Sequence, residues 1–262
     1  MEHANNQARL EDLHRALVDA QAVHSGDVLP LPGFDARTRA DICISRTVRF
    51  ARHDDAAVDA WIADRRGRPG LDVRVIPLDR VKRWHIDAAT GNIAHETGRF
   101  FTLTGLRVRH RREGEELEWD QPIIDQPEVG ILGILAKRLD GVLHFCLQAK
   151  EEPGNIGGVQ LSPTVQATYS NYSRAHGGAL PSFVELFLAP PRENILYARL
   201  QTEDGGRFLY KSNRNMIVRL DDAAAEDLPS EFIWLTLRQI ARCLRQDNLV
   251  NACTRSVLSA LL

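Results

Sequence analysis

The sequence predicts an α+β protein in which a mixed, mainly antiparallel sheet is flanked by helices at both chain ends. Three observations carry this expectation. Leu10, Leu13, Leu17 and Ala20 recur at helical spacing, residues from about 73 to 220 break into short alternating or β-branched runs, and a second helical stripe returns near the end. With 262 residues, of which 44% are hydrophobic and 26% charged, the chain can bury a sizeable core.

The first helix is expected to end near Ser25-Gly26, followed by a Pro/Gly-bearing link around 29–37. A second helix is expected over 48–63, stopping before the basic turn at 65–70. The strand-like runs then follow: 73–78, 99–110, 142–150, 158–169, 183–189, 194–201 and 207–220. The stretch 131–141 suits a strand or a short helix equally well. Leu237, Ile240, Ala241 and Leu244 predict a helix over 230–246, with a final short helix after Asn251. In the absence of internal repeats or a long linker, residues 1–40 read as a helical extension and 41–262 as a single domain.

Composition excludes several function classes. A net charge of −2 offers no field for a nucleic-acid backbone or an anionic membrane. No apolar run approaches the roughly 20 residues that span a bilayer, and the N-terminus has no leader-like apolar segment, so a cytoplasmic location is expected. Cys43, Cys146, Cys243 and Cys253 have neither zinc-knuckle nor redox-pair spacing and read as buried thiols. The histidines at 85, 95, 110, 144 and 176 are too scattered for a metal site. No nucleophile elbow, P-loop or dinucleotide fingerprint is present, and the Arg-rich run 107–112 is assigned no function.

Polar periodicity points to a site between 141 and 178. Alternation places His144, Cys146, Gln148 and Lys150 on one face of a strand, and Gln160, Ser162, Thr164, Gln166 and Thr168 on one face of the next. These directional hydrogen-bonding groups suit a polyhydroxylated or phosphorylated ligand, and an exposed sheet face equally. The connector 151–158, with Glu152, Pro153, Gly154 and Asn155, suits an irregular loop. The segment 169–178 adds Asn171, Tyr172, Arg174 and a diglycine.

The blocks G-x-I-x-H-E-T-G-R-F-F (91–101), W-D-Q-P-I-I (119–124), Q-P-E-V-G-I-L-G (126–133), G-V-L-H-F-C-L-Q-A-K-E-E-P-G-N (141–155), V-Q-L-S-P-T-V-Q-A-T-Y-S-N-Y (159–172) and K-S-N-R-N-M (211–216) together resemble the NDP-hexose 2,3-dehydratases of deoxysugar biosynthesis. The resemblance covers about residues 40–262. It implies a unit resembling the Nudix hydrolase fold, here without that fold's acidic catalytic box. It also implies two-unit members, so that this one unit either pairs as a homodimer or has diverged.

The implied reaction removes water from an NDP-4-keto-6-deoxyhexose. A base takes the carbon-3 proton, acidified by the carbon-4 ketone, and the carbon-2 hydroxyl leaves with help from an acid. No cofactor is called for. The implied base is Tyr172 or His144, with Glu152 third; Lys150, with Gln148 or Asn155, would polarise the carbon-4 oxygen. Arg174, Lys211 and Arg214 are implied diphosphate ligands, and Trp84 or Trp119 a nucleobase platform. Gln160, Ser162, Thr164, Gln166 and Asn171 would contact the sugar. A nucleotide-sugar substrate and a downstream ketoreductase are the implied partners. A non-catalytic sugar-nucleotide binding module, or an isomerase or epimerase sharing the carbon-3 abstraction, are the alternatives.

Overall fold

The computed structural model describes residues 2–23, 33–172, 180–224 and 227–261. Helix α1 (Glu2–Val23) is followed by α2 (Ala36–Thr47) and α3 (Asp55–Arg66). The link expected around 29–37 ends at Asp35, whose carboxylate accepts from Thr38 N–H at 2.7 Å and starts α2, a helix the sequence reading did not foresee. Helix α2 runs across position 40 and buries Ile42 and Ile44. The next helix starts at Asp55 rather than at 48, because Asp54 caps it through Ala57 N–H at 2.7 Å.

Eleven strands among the described residues form two sheets. The smaller contains β1 (Trp84–Ile86), β2 (Ile93–His95), β3 (Thr102–Arg112) and β4 (Glu115–Asp125), joined antiparallel in that order. The larger contains β5 (Gly130–Leu139), β6 (Val142–Glu151), β7 (Val159–Pro163), β8 (Val165–Ala167), β9 (Ile195–Thr202), β10 (Ser212–Arg219) and β11 (Phe232–Leu235). Its main order is β11-β6-β5-β10-β9, with β7 on β6 and β8 on β5. β5 and β10 pair in parallel and the other pairs are antiparallel, so the expected mixed, mainly antiparallel character holds.

The ambiguous stretch 131–141 is the central strand β5. Its first seven residues, 130–136, are apolar because both faces are covered there, which hides the period-2 signal. The Arg-rich run belongs to a hairpin: Glu113 and Gly114, with φ of 47° and 90°, make the two-residue turn, and Gly114 supplies the second left-handed position. Across it Arg107 meets Asp120 at 3.0 Å, Arg109 meets Glu118 at 2.6 Å and Arg111 meets Glu116 at 3.2 Å.

Three expectations fail. Residues 73–77 form no strand, and Leu78–Arg80 is a 3-10 turn. Residues 183–189 contain the short helix α5 (Glu185–Leu188), because Phe187 is turned onto the sheet face. The helix expected over 230–246 is split: β11 pairs with β6, and Thr236 then opens α6 (Leu237–Leu244) with a reciprocal Thr236–Gln239 capping box. The last helix, α7 (Ala252–Leu258), begins after Asn251 as expected, and the Asn251 side chain caps it.

Two cores flank the large sheet. Helices α2, α3, α6 and α7 bury Ile42, Val58, Ile240 and Val257 against Ile134, Phe145, Leu161 and Ile217. On the other face Val184 and Phe187 cover Leu135, Cys146, Met216 and Trp234. Ser45 joins the first layer to the sheet: its hydroxyl donates to Leu143 O at 2.6 Å and accepts Leu237 N–H at 2.9 Å. Among the described residues no helix is long and apolar enough to cross a membrane.

Candidate functional site

A cleft of about 460 Å³ opens where the ends of β6, β8, β9 and β10 converge. Lys150 and Glu152 reach it from the end of β6, Gln166 from β8, and Thr168 and Asn171 from the start of α4 (Tyr169–Tyr172). Gly130, Asn213 and Lys211 form another wall, with Glu203, Phe208, Gln126, Cys253, Leu132 and Ala167 completing the lining.

Local bonding explains why these side chains stay in place. Asn155 folds the β6–β7 loop back, its N–H donating to Glu152 O at 3.0 Å and its Nδ2 to Lys150 O at 3.1 Å. Asn251 Nδ2 donates to Ser162 Oγ and to Gln166 Oε1, both at 3.1 Å, while Ser162 Oγ donates to the same Gln166 oxygen at 3.0 Å. Two donors on that oxygen determine the orientation of the amide, so Gln166 Nε2 faces Glu152 Oε1, at 3.0 Å. Lys150 Nζ lies 3.3 Å from the same carboxylate oxygen.

The β9–β10 loop is closed by Glu203 N–H donating to Lys211 O at 3.0 Å. Asp204 caps its turn, and Ile124 adds the loop to β4 through Ile124 N–H to Arg207 O and Leu209 N–H to Ile124 O, both 2.9 Å. Lys211 is almost fully buried, its Nζ donating to the Glu128 carbonyl; burial lowers its pKa, opposed by the charges of Glu128 and Glu203. The Cys253 thiol is pushed up to about 11, first by burial and then by Glu203 and Glu152.

Of the sequence-derived candidates, Lys150, Glu152, Gln166, Asn171 and Lys211 line the cleft. Ser162 stands behind it in the Asn251–Gln166 network, and Asn155 shapes the loop. Thr164 is buried and structural: Oγ1 donates to Cys146 O at 2.6 Å and accepts Leu135 N–H at 3.0 Å. Gln148 and Gln160, paired across β6 and β7 with Ser162 and Lys150, are outside the lining. Arg174 lies outside the described residues.

His144 is not on an open polar face. It is fully buried, Nδ1 contacts Val142 O at 2.8 Å, and Nε2 accepts Arg52 N–H at 3.0 Å. Nδ1 therefore carries the proton, and burial first of all pushes the pKa down to about 4. Alternation had the two faces of β6 right, but both are covered by packing. Tyr172 packs beside the core that contains Val165 and Phe187, its ring 5.4 Å from Tyr169. Its pKa is raised, by burial first and then by Tyr169 and Glu128, against a smaller opposing pull from Arg214. That is the reverse of what a phenolate base needs.

Arg214 is exposed and absent from the cleft lining, because strand alternation turns it away from Asn213. Trp84 and Trp119 belong to the small sheet. Trp84 packs with Phe101 at 4.9 Å beside a separate apolar cavity of about 650 Å³, and Trp119 Nε1 donates to Gln121 Oε1 at 2.9 Å.

Sequence reasoning missed Gln126, Glu203, Asn213 and Cys253. For Asn213 a signal existed: in 211–216 alternation puts it on the side of Lys211. Glu203 carried none, since only the β9–β10 register brings it opposite Lys211.

The profile of the NDP-hexose 2,3-dehydratase family matches residues 55–261. Among curated relatives, the dTDP-4-dehydro-6-deoxy-α-D-glucopyranose 2,3-dehydratase of Saccharopolyspora spinosa is 50% identical over 203 residues, covering 77% of this chain and 41% of that one. The enzyme of the same name from Amycolatopsis orientalis is 51% identical over 209 residues, covering 78% and 44%. That from Streptomyces violaceoruber is 43% identical over 209 residues, covering 79% and 46%. The chain thus spans less than half the length of these relatives.

Proposed function

Because this chain belongs to the NDP-hexose 2,3-dehydratase family, we propose that it eliminates water across carbons 2 and 3 of a dTDP-4-keto-6-deoxyhexose. The observation that carries the reading is the Lys150–Glu152–Gln166 constellation in the cleft, a carboxylate aimed by an amide and 3.3 Å from an ammonium. Carbon 3 of a 4-ketohexose loses its proton to a base while negative charge grows on the carbon-4 oxygen. Glu152 is the base, and Lys150 faces that oxygen, where a fixed positive charge is worth most. Asn171 and Gln166 contact sugar hydroxyls, and Lys211, with Arg174, takes the diphosphate. The elimination is redox-neutral, and its unstable diketo product calls for a ketoreductase downstream.

The Nudix-like reading of the fold rests on the resemblance and on a mixed sheet between helical layers. The unit works paired with a second copy. Its small sheet supports this, with Leu117 58% and Trp119 45% exposed on the same face of β4, an apolar surface of the kind interfaces cover.

Incubation with dTDP-4-keto-6-deoxyglucose in deuterated water, with a ketoreductase and its nicotinamide cofactor to trap the product, tests the reading. The expected outcome is a reduced 2-deoxy sugar nucleotide. Carbon-3 deuterium exchange without water loss would favour an isomerase or epimerase, and binding alone a carrier module.

A further inference from the structure

The cleft holds a second carboxylate that is aimed as deliberately as Glu152. Glu203 Oε1 accepts a hydrogen bond from Asn213 Nδ2. Asn213 is itself buried, and its Oδ1 accepts Gly130 N–H at 3.1 Å, so the amide nitrogen is left facing Glu203. This seat requires glycine at 130: a Cβ there would stand 2.6 Å from Asn213 Oδ1. Gly130, from a distant part of the chain, and Asn213, across the β9–β10 loop, thus combine to orient the Glu203 side chain at the mouth of that loop. Glu203 and Glu152 also lie close enough to Cys253 that both charges act on its thiol. The two carboxylates therefore approach one cavity from different walls, one held by Asn213 and the other by Gln166.

Loss of water from a 4-ketohexose needs two proton transfers at adjacent carbons, one from carbon 3 and one to the oxygen leaving carbon 2. Resting on the dehydratase reading above, we infer that Glu203 is the acid that protonates the departing carbon-2 hydroxyl, with Asn213 as its positioning residue. Glu152 takes the carbon-3 proton; the C–H electron pair becomes the C3=C4 bond, and the carbonyl pair moves onto the carbon-4 oxygen. The enolate then collapses. The carbonyl re-forms, the C3=C4 pair becomes C2=C3, and the C2–O bond breaks with its pair going to oxygen. That oxygen receives the proton of the Glu203 carboxyl and leaves as water. Glu203 ends as a carboxylate and Glu152 as an acid, and proton exchange with solvent resets both.

Glu203→Gln keeps an oxygen for Asn213 and removes only the transferable proton. The expected result is a dehydration rate lower by about 10²- to 10⁴-fold, with carbon-3 deuterium exchange retained. A 2-deoxy-2-fluoro analogue, whose leaving group needs far less protonation, should be turned over by this variant within about tenfold of the wild-type rate. Glu152→Gln should lose exchange and elimination together. Asn213→Asp retains the acceptor for Gly130 N–H but sets a second carboxylate against Glu203, and should move the alkaline limb of the rate profile upward by about one pH unit. A merely structural Asn213 would lower the rate without moving that limb. If the wild type dehydrates the sugar and Glu203→Gln is equally active, or loses exchange and fluoride release as well, the assignment is overturned and the dehydratase reading stands. A wild type that leaves the sugar intact overturns both.

Discussion

His144 makes stability depend on pH in a way that can be worked out from its surroundings. Its ring is fully buried between Val142 O and Arg52 N–H, and burial lowers its pKa from the ordinary 6.5 to about 4. The unfolded chain therefore binds a proton in a range where the folded chain does not. Stability is intact above pH 6.5 and is lost as pH falls toward 4, below which both states are protonated and the effect levels off. At about 1.4 kcal/mol per tenfold change in proton affinity, the full loss is roughly 3 kcal/mol, of which roughly 2–3 kcal/mol falls between pH 7 and 4.5. Urea unfolding followed by tryptophan fluorescence measures it, since Trp234 is buried in the core. The control is His144→Asn, which can donate to Val142 O but does not titrate and loses the imidazole's bond with Arg52 N–H, a pH-independent cost of about 1–3 kcal/mol. The wild type should start more stable at pH 7 and lose that lead as the pH drops. A gap that stays constant from pH 7 to 4.5 would refute a neutral buried imidazole. The same variant should retain catalysis at pH 7.5 once folding is secured, because His144 does not line the cleft.

The remaining expectations concern the cleft and the small sheet. Glu152→Gln should lower dehydration by about 10²- to 10⁴-fold, whereas Tyr172→Phe should stay within tenfold of wild type, as steady-state rates on folded protein will show. Gly130→Ala must displace Asn213 and the Ala167 carbonyl, 2.6 and 3.2 Å from the new methyl, and should cost about 1–3 kcal/mol in urea unfolding together with much of the activity. Leu117→Glu combined with Trp119→Glu should give a monomer by light scattering with the thermal transition of the unit little changed, since both side chains are exposed.

Hydrophobic period made the α+β class legible, along with the first helix, the Asn251-capped last helix and most strands of the large sheet. The blocks from 91 to 216 made the family legible, because long ordered matches survive where short motifs do not. Period failed where burial was two-sided or where caps decided the outcome. β5 has no polar face to alternate, and β11 looked helical because its apolar run is continuous with that of α6. Helix α2 starts where Asp35 finds Thr38 N–H, a local bond that the Pro/Gly-rich link obscured.

For the site, sequence alone yielded a longer list of candidates that includes Lys150, Glu152, Gln166, Asn171 and Lys211, the five that the fold brings to one cleft. It could not tell an open polar row from a covered one: His144 and Thr164 are buried in packing, and Tyr172 is partly buried beside the core and outside the cleft lining. Only the tertiary structure decided that β9 delivers Glu203 to the cleft, that Asn213 aims it, and that both tryptophans fall on another sheet. The physical reason is that side-chain alternation is a property of one strand. The meeting of two walls depends on the register between strands distant in the chain, and on what packs over each face.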